Sequence, residues 1–372
     1  SKPMTPCSAV SACSSAAAQG LAAEGVASEQ GVMGLLQMQA SRHASGTMTG
    51  IEFRTLDEAQ AKAKATLVQL TNSERNGLLR GGHFNALTIN PVRGYYTGST
   101  EAIPRLGVPA LKMQDSGSGF RTTEIDEQGT TTCWPSLLAL GSSWDGDLVA
   151  EVAKAIGEEF RGKGANVVLG PAVNVHRAAT GGRTVEYLSG EDPYLGSRLA
   201  SAYIIAMQQQ GVIATAKHYA FNDQETNRMS VNSYIDERTA WELYYPPFEA
   251  AVQAGLGAVM CAYNRANGKF SCENPEMLRQ DLKQKMGFSG FVMSDWTATH
   301  TPDAISLGLD EEMPGFIEPR VISDALGAVK FTDEHLNDPA REAAVNESAL
   351  RVLTTIYRLR LDECSDCCIP PN

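Results

Sequence analysis

Short apolar runs that break off on polar, ligand-like residues recur along this chain, and stretches with helical periodicity lie between them. Val108 to Met113 leads to Gln114-Asp115 and then Arg121, while Val167-Val168-Leu169 runs on to Asn174, His176 and Arg177, with Gly181-Gly182-Arg183 after them. Val212 to Ala216 ends on Lys217-His218, with Asn222, Glu225, Asn227 and Arg228 just beyond. Ala258 to Cys261 ends on Tyr263-Asn264. In the sharpest case, Phe291-Val292-Met293-Ser294-Asp295-Trp296, the run is entered through Gly287 and Gly290 and stops on a carboxylate followed by tryptophan. Runs of this kind read as parallel strands buried on both faces. The segments between them read as helices: Leu148, Val152, Ile156 and Phe160 share one face, as do Leu199, Tyr203 and Met207. Asn274-Pro275 opens another helix, with Leu278, Leu282 and Met286 on one side and Gly287 at its stop. Strand, polar tip and helix in repetition predict an α/β chain, a TIM-like (β/α)8 barrel. In such a barrel the strand tips share one face, so their polar groups converge on one pocket.

A barrel of about 250–300 residues plus extensions accounts for the length, since the chain has 372 residues. The formal charge of -12 and the lack of a Lys/Arg-rich stretch exclude a typical nucleic-acid binder. No apolar stretch is long enough to span a bilayer, and neither a cofactor nor a metal is expected. The chain opens on Ser1 rather than Met and shows no signal peptide, as expected of a processed or partial chain. Three regions are predicted: an N-terminal extension over 1–58, the barrel over 59–361 and a Cys-rich tail over 362–372. The first fifty or so residues are rich in Ala, Ser, Gly, Met and Gln, and read as an extension lying on the barrel or on a partner. Asp338-Pro339 starts the closing helix, with Val345, Ala349, Val352 and Ile356 on one face. Cys7, Cys13, Cys364, Cys367 and Cys368 cluster at the ends. With no second Cys/His pair at ligand spacing, zinc is the poorer reading and disulfides in an extracellular or secretory compartment the better one. The sequon Asn346-Glu347-Ser348 falls inside the closing helix and is discounted.

Taken singly, these residues have ordinary explanations. A strand-ending Asp295 fits a turn or helix cap, and Lys217-His218 fits a satisfied polar pair. Trp134, Trp144 and Trp241 are assigned to the core or the barrel rim. Taken together, from about Ala61 to Leu361, the chain resembles the N-terminal barrel domain of family 3 glycoside hydrolases, the β-glucosidase and β-xylosidase family. The resemblance rests on Gly107-Val108-Pro109-Ala110-Leu111 with Gln114-Asp115 and Gly119-Phe120-Arg121, and on Gly157-Glu158-Glu159-Phe160-Arg161. It continues through Gly182-Arg183 with Glu186-Tyr187, Glu191-Asp192-Pro193-Tyr194-Leu195, Lys217-His218-Tyr219 and Gln224-Glu225-Thr226-Asn227-Arg228. Val259 to Asn264 and Gly290 to Trp296 complete it, all in collinear order.

The resemblance implies a retaining hydrolase acting on β-linked glucosides, with Asp295 as nucleophile. Asp115 would accept hydrogen bonds from two sugar hydroxyls. Arg121, Arg183, Lys217, His218 and Arg228 would donate to the others or hold the carboxylates, with Tyr263 near Asp295 and Trp296 on the subsite wall. Glu186 reads as a partner of the neighbouring arginines, and cations beside Asp295 are expected to keep its pKa low. Cys261 and Cys272 resemble a loop-closing disulfide of secreted fungal-type β-glucosidases, and Trp296 favours the glucosidase branch. Two departures stand out. Thr184-Val185 replaces an Asn-aromatic pair, with an additional residue near Ser189-Gly190. The general acid/base, supplied in two-domain members by a following α/β sandwich, has no candidate here. The enzyme reading therefore requires a second domain or partner chain. The alternative is a non-catalytic sugar-binding or structural subunit that reuses the barrel.

Overall fold

The computed structural model describes residues 50–82, 84–85, 90–91, 96–122, 129–318 and 329–364. Cys7, Cys13, Cys367 and Cys368 lie outside these residues. The described residues belong to one compact unit, which begins at Gly50.

In chain order the elements that build the site are α1 (Leu56–Leu67), β1 (Gly98–Ser99), β2 (Lys112–Gln114), α2 (Gly146–Gly162), β3 (Val167–Val168) and α3 (Pro193–Gln208). They are followed by β4 (Ile213–Tyr219), α4 (Pro246–Gln253), β5 (Ala258–Cys261), α5 (Glu276–Lys285), β6 (Phe291–Ser294) and α6 (Glu342–Arg358). The strands form one sheet in the order β6-β5-β4-β3-β2-β1. Neighbours from β2 to β6 run parallel, in register Met113↔Val167, Val167↔Ile213, Thr215↔Ala258 and Phe291↔Ala258. Every residue of β4, β5 and β6 is buried, as continuous apolar runs require.

A regular barrel of eight parallel strands is not what the ladder forms. β1 pairs antiparallel with β2, because the connection between them holds only a short turn, Pro104–Leu106, where a parallel return needs a crossover, usually a helix. Beyond β6 the sheet continues through single parallel bridges, Met293↔Glu311 and Arg80↔Glu312. Gly82 N–H then donates to Ser99 O at 2.5 Å, curling the edge back toward β1. The approach there is close: a Cβ on Gly81 would stand 2.1 Å from Pro314 O.

The helices cover the sheet as the sequence pattern directs, with one rotation. Leu199, Tyr203 and Met207 of α3 are buried, as are Val345, Ala349, Val352 and Ile356 of α6. Leu278, Leu282 and Met286 are buried along α5 and its end. On α2 the inner face is Val149, Ala153, Ile156, Gly157 and Phe160, while Leu148 is exposed. Asp145 caps that helix through the N–H groups of Asp147 and Leu148, which fixes Leu148 in the open first turn. Gly157 lets α3 and the turn after it approach, since a Cβ there would stand 3.2 Å from Met207 Sδ and 2.9 Å from Gln210 Cγ. Asp192-Pro193 proves to be the cap and first residue of α3. Asp338 caps a 3-10 turn, Pro339–Arg341, from which α6 begins. Asn346 lies inside α6 and accepts a hydrogen bond from Arg75. Trp134 and Trp241 pack against the core, but Trp144 is 74% exposed.

Candidate active site

Asp295 follows the last residue of β6, with its backbone N–H bonded to Cys261 O at 3.2 Å. Ser294 anchors the strand end, its hydroxyl accepting from Met313 N–H at 2.8 Å. The Asp295 Oδ1 accepts from the Trp296 N–H at 2.7 Å, and Oδ2 lies 3.6 Å from His218 Nε2. Tyr263 donates its hydroxyl to Trp296 O at 2.8 Å. The Cys261–Cys272 disulfide closes the loop that carries Tyr263.

Lys217 and His218 lie within β4 rather than beyond its end. Asn174 stands in for a strand neighbour: its Oδ1 accepts from His218 N–H at 2.7 Å and its Nδ2 donates to His218 O at 3.0 Å. The imidazole is fixed by Tyr187, whose hydroxyl is 2.7 Å from Nδ1, with an Arg183 guanidinium nitrogen 3.5 Å from Nε2. Burial, then Arg183 and Lys217, push the His218 pKa well below its ordinary value, so the ring is neutral.

Lys217 Nζ lies 3.0 Å from Glu186 and 3.5 Å from Asp115. Asp115, just past β2, also pairs with Arg121 at 2.8 Å. Glu186 forms a two-pronged pair with Arg183, at 2.7 and 3.0 Å. Although burial works against it, Lys217 and Arg183 hold the Glu186 carboxyl far below its ordinary range. Glu225 joins Arg183, at 3.7 Å, to Arg228, at 3.2 Å, and Arg228 stacks over Tyr263 at 4.6 Å. Gly182, at φ +99°, is required beneath Glu225, because a Cβ there would stand 2.9 Å from its side chain.

One network therefore unites Asp115, Arg121, Arg183, Lys217, His218, Arg228, Tyr263 and Asp295. The Trp296 indole turns toward β1, donating to Thr97 O at 3.2 Å and lying against Gly98. With His218 neutral, the cations Arg121, Arg183, Lys217 and Arg228 balance the carboxylates Asp115, Glu186, Glu225 and Asp295. The expected low pKa of Asp295 is not found. Burial raises it above the ordinary value, against the opposing pull of the Trp296 N–H, Lys217, Tyr263 and Arg183. Nearly complete desolvation outweighs the cations because these are already spent on Asp115, Glu186 and Glu225. Sequence reasoning missed Tyr187 as the partner of His218. Only its adjacency to Glu186 marked it.

The arrangement is that of an α/β domain with a charge-balanced polar cluster at the carboxyl ends of parallel strands. Over residues 48–310 the chain matches the model described as the glycosyl hydrolase family 3 N-terminal domain, and it belongs to that family. It is 43% identical to a β-glucosidase of Rhizobium radiobacter over 252 residues, which covers 67% of this chain and 29% of that protein. It is 38% identical to β-glucosidase B of Emericella nidulans over 315 residues, covering 84% of this chain and 35% of that one. A β-glucosidase from Streptomyces venezuelae in complex with D-glucose superposes with a TM-score of 0.72 at 36% identity, covering 82% of this chain and 38% of that one. β-Glucosidase 3B from Thermotoga neapolitana in complex with glucose gives 0.73 at 35% identity, covering 83% and 44%. The chain spans about a third of the length of these two curated relatives.

Proposed function

We propose that this chain is the nucleophile-bearing part of a retaining β-glucosidase, acting on terminal β-D-glucosyl residues. The observation that carries the reading is Asp295 at the tip of β6, buried among Lys217, His218, Tyr263 and Arg183. Asp115, Arg121, Lys217 and His218 are arranged to grip hydroxyls of the terminal sugar, and Arg183 and Arg228 to hold the carboxylates. The Asp295 carboxylate attacks the anomeric carbon as the glycosidic C–O bond breaks, and the leaving oxygen takes a proton from an acid. Water then attacks the same carbon, giving a proton back to the group that served as the acid, and releases both glucose and the carboxylate. That acid comes from a second α/β domain or partner chain whose carboxyl reaches within about 5–5.5 Å of Asp295. We read the sheet and its bridges as one closed barrel with β1 reversed. The buried Cys261–Cys272 bridge supports an extracellular or secretory location.

An activated aryl β-glucoside tests the reading, because a good leaving group lessens the need for the acid, ordinarily worth about 10²–10⁴-fold. A fluorinated glucoside should label Asp295, and Asp295→Asn should abolish both labelling and turnover. One observation favours an alternative, a non-catalytic sugar-binding or structural subunit: the carboxylates near Asp295, namely Asp115, Glu186 and Glu225, are each paired with a cation, so none of them is free to serve as the acid. Glucose binding without labelling selects that alternative.

A further inference from the structure

Arg183 and Tyr187 both touch His218, and both also line a cavity in which His176, Asn222 and Asp223 meet. Asn222 is 4% exposed, yet neither its Oδ1 nor its Nδ2 has a partner. Asp223 Oδ1 and His176 Nε2 are likewise buried without partners. Native interiors rarely leave such groups unpaired, and four in one small cavity call for an occupant.

We propose that His176, Asn222 and Asp223 close on one buried water molecule, which holds loop 174–187 to loop 222–228 and thereby positions Arg183 and Glu225. The inference rests on the proposed sugar site only in what those two residues are positioned for. The enclosed part of the space is about the size of one water molecule, and its mouth is open to solvent. The chemistry matches three of the four groups: water donates to Asp223 Oδ1 and, with the ring proton on Nδ1, to His176 Nε2, and it accepts from Asn222 Nδ2. A metal ion fits less well, since only one carboxylate is offered and Arg177 already acts on it. Burial pushes Asp223 up to about 7, with Arg177 opposing, as expected of a carboxyl oxygen with no fixed protein donor.

The link to the site is short. Glu225 N–H donates to Gly181 O at 2.9 Å, and Gly182 packs directly beneath the Glu225 side chain. Any parting of the loops therefore moves Glu225, and with it the pairs to Arg183 and Arg228. His176, Asn222 and Asp223 are positioning residues, since none of them touches Asp295.

The test compares Asp223→Leu, which removes the acceptor, with Asp223→Asn, which keeps one. Hydrogen exchange over 178–184 and 222–228 and kinetics on an activated aryl β-glucoside are measured on the full chain. Asp223→Leu is expected to speed exchange in both loops and to raise KM about tenfold with a smaller change in kcat. Asp223→Asn is expected to restore both to within about twofold of the unaltered chain. Identical behaviour of the two variants overturns the proposal. A high-resolution crystal structure of the unaltered chain decides it even if Asp223→Leu fails to fold: a water about 3 Å from all three residues supports the proposal, and a metal ion or a direct side-chain contact overturns it. If the unaltered chain neither binds glucose nor cleaves the glucoside, the proposed function fails, while exchange and crystallography still decide the water.

Discussion

At the scale of single residues, Lys217 holds the site together. It is 3% exposed and shared between Asp115 and Glu186, so its removal leaves two carboxylates facing each other without their common cation. Lys217→Met keeps the volume and deletes the charge. It should lose about 3–5 kcal/mol of stability in a urea titration and abolish glucose binding by calorimetry. A loss under about 1 kcal/mol would mean that Arg121 and Arg183 suffice by themselves. His218 shows how far a residue can be read in isolation. Its place after an apolar run was visible in the sequence, but its neutrality follows from burial first, then Arg183 and Lys217.

At the scale of elements, the loop between β5 and α5 brings Tyr263 over Asp295, and the Cys261–Cys272 bridge closes it across a separation of 11 residues. Cys261 lies in β5 directly opposite Ser294 of β6, so the bridge ties the loop to the strand that ends at Asp295. Replacing both cysteines by serine should cost about 2–4 kcal/mol and weaken glucoside turnover through Tyr263. Non-reducing peptide mapping must first recover the linked pair from the native chain; free thiols at both positions would remove the basis of this prediction. Cys133 is exposed and free, and Cys364 is disulfide-bonded.

At the scale of the whole molecule, buried carboxyls set the response to pH. Glu311 is fully buried with neither oxygen paired, and burial, then Asp310, raises its pKa well above the ordinary value. Burial brings Glu312 and Asp223 to about 7. For these groups the unfolded chain releases its protons first. Their favourable contribution is complete below the unfolded carboxylate pKa and is lost as pH rises toward their folded values. Glu186, Glu347 and Asp362 are depressed despite burial, by Lys217, Lys283 and Arg54 respectively, so their contribution is lost as pH falls. Stability should therefore peak in mild acid, with Tm falling between about pH 5 and about pH 8. Glu311→Gln should flatten that fall. A Tm that rises over the same interval would contradict the assignment.

The alternation of apolar runs and amphipathic segments was determined by the sequence itself, because strands and helices answer to local periodicity. The same holds for the strand tips that bear Asp115 and Asp295, whereas Lys217 and His218, which follow an apolar run in the sequence, lie inside β4. Only the tertiary structure decided that β1 runs antiparallel, that single bridges at Glu311 and Glu312 carry the sheet onward, and that Asn174 and Tyr187 hold His218. The His218 partners lie 44 and 31 residues away in the chain, and no local pattern marks such pairs. The same limit explains Asp295: its cations were legible one by one, but its burial and the carboxylates that share those cations are properties of the assembled molecule.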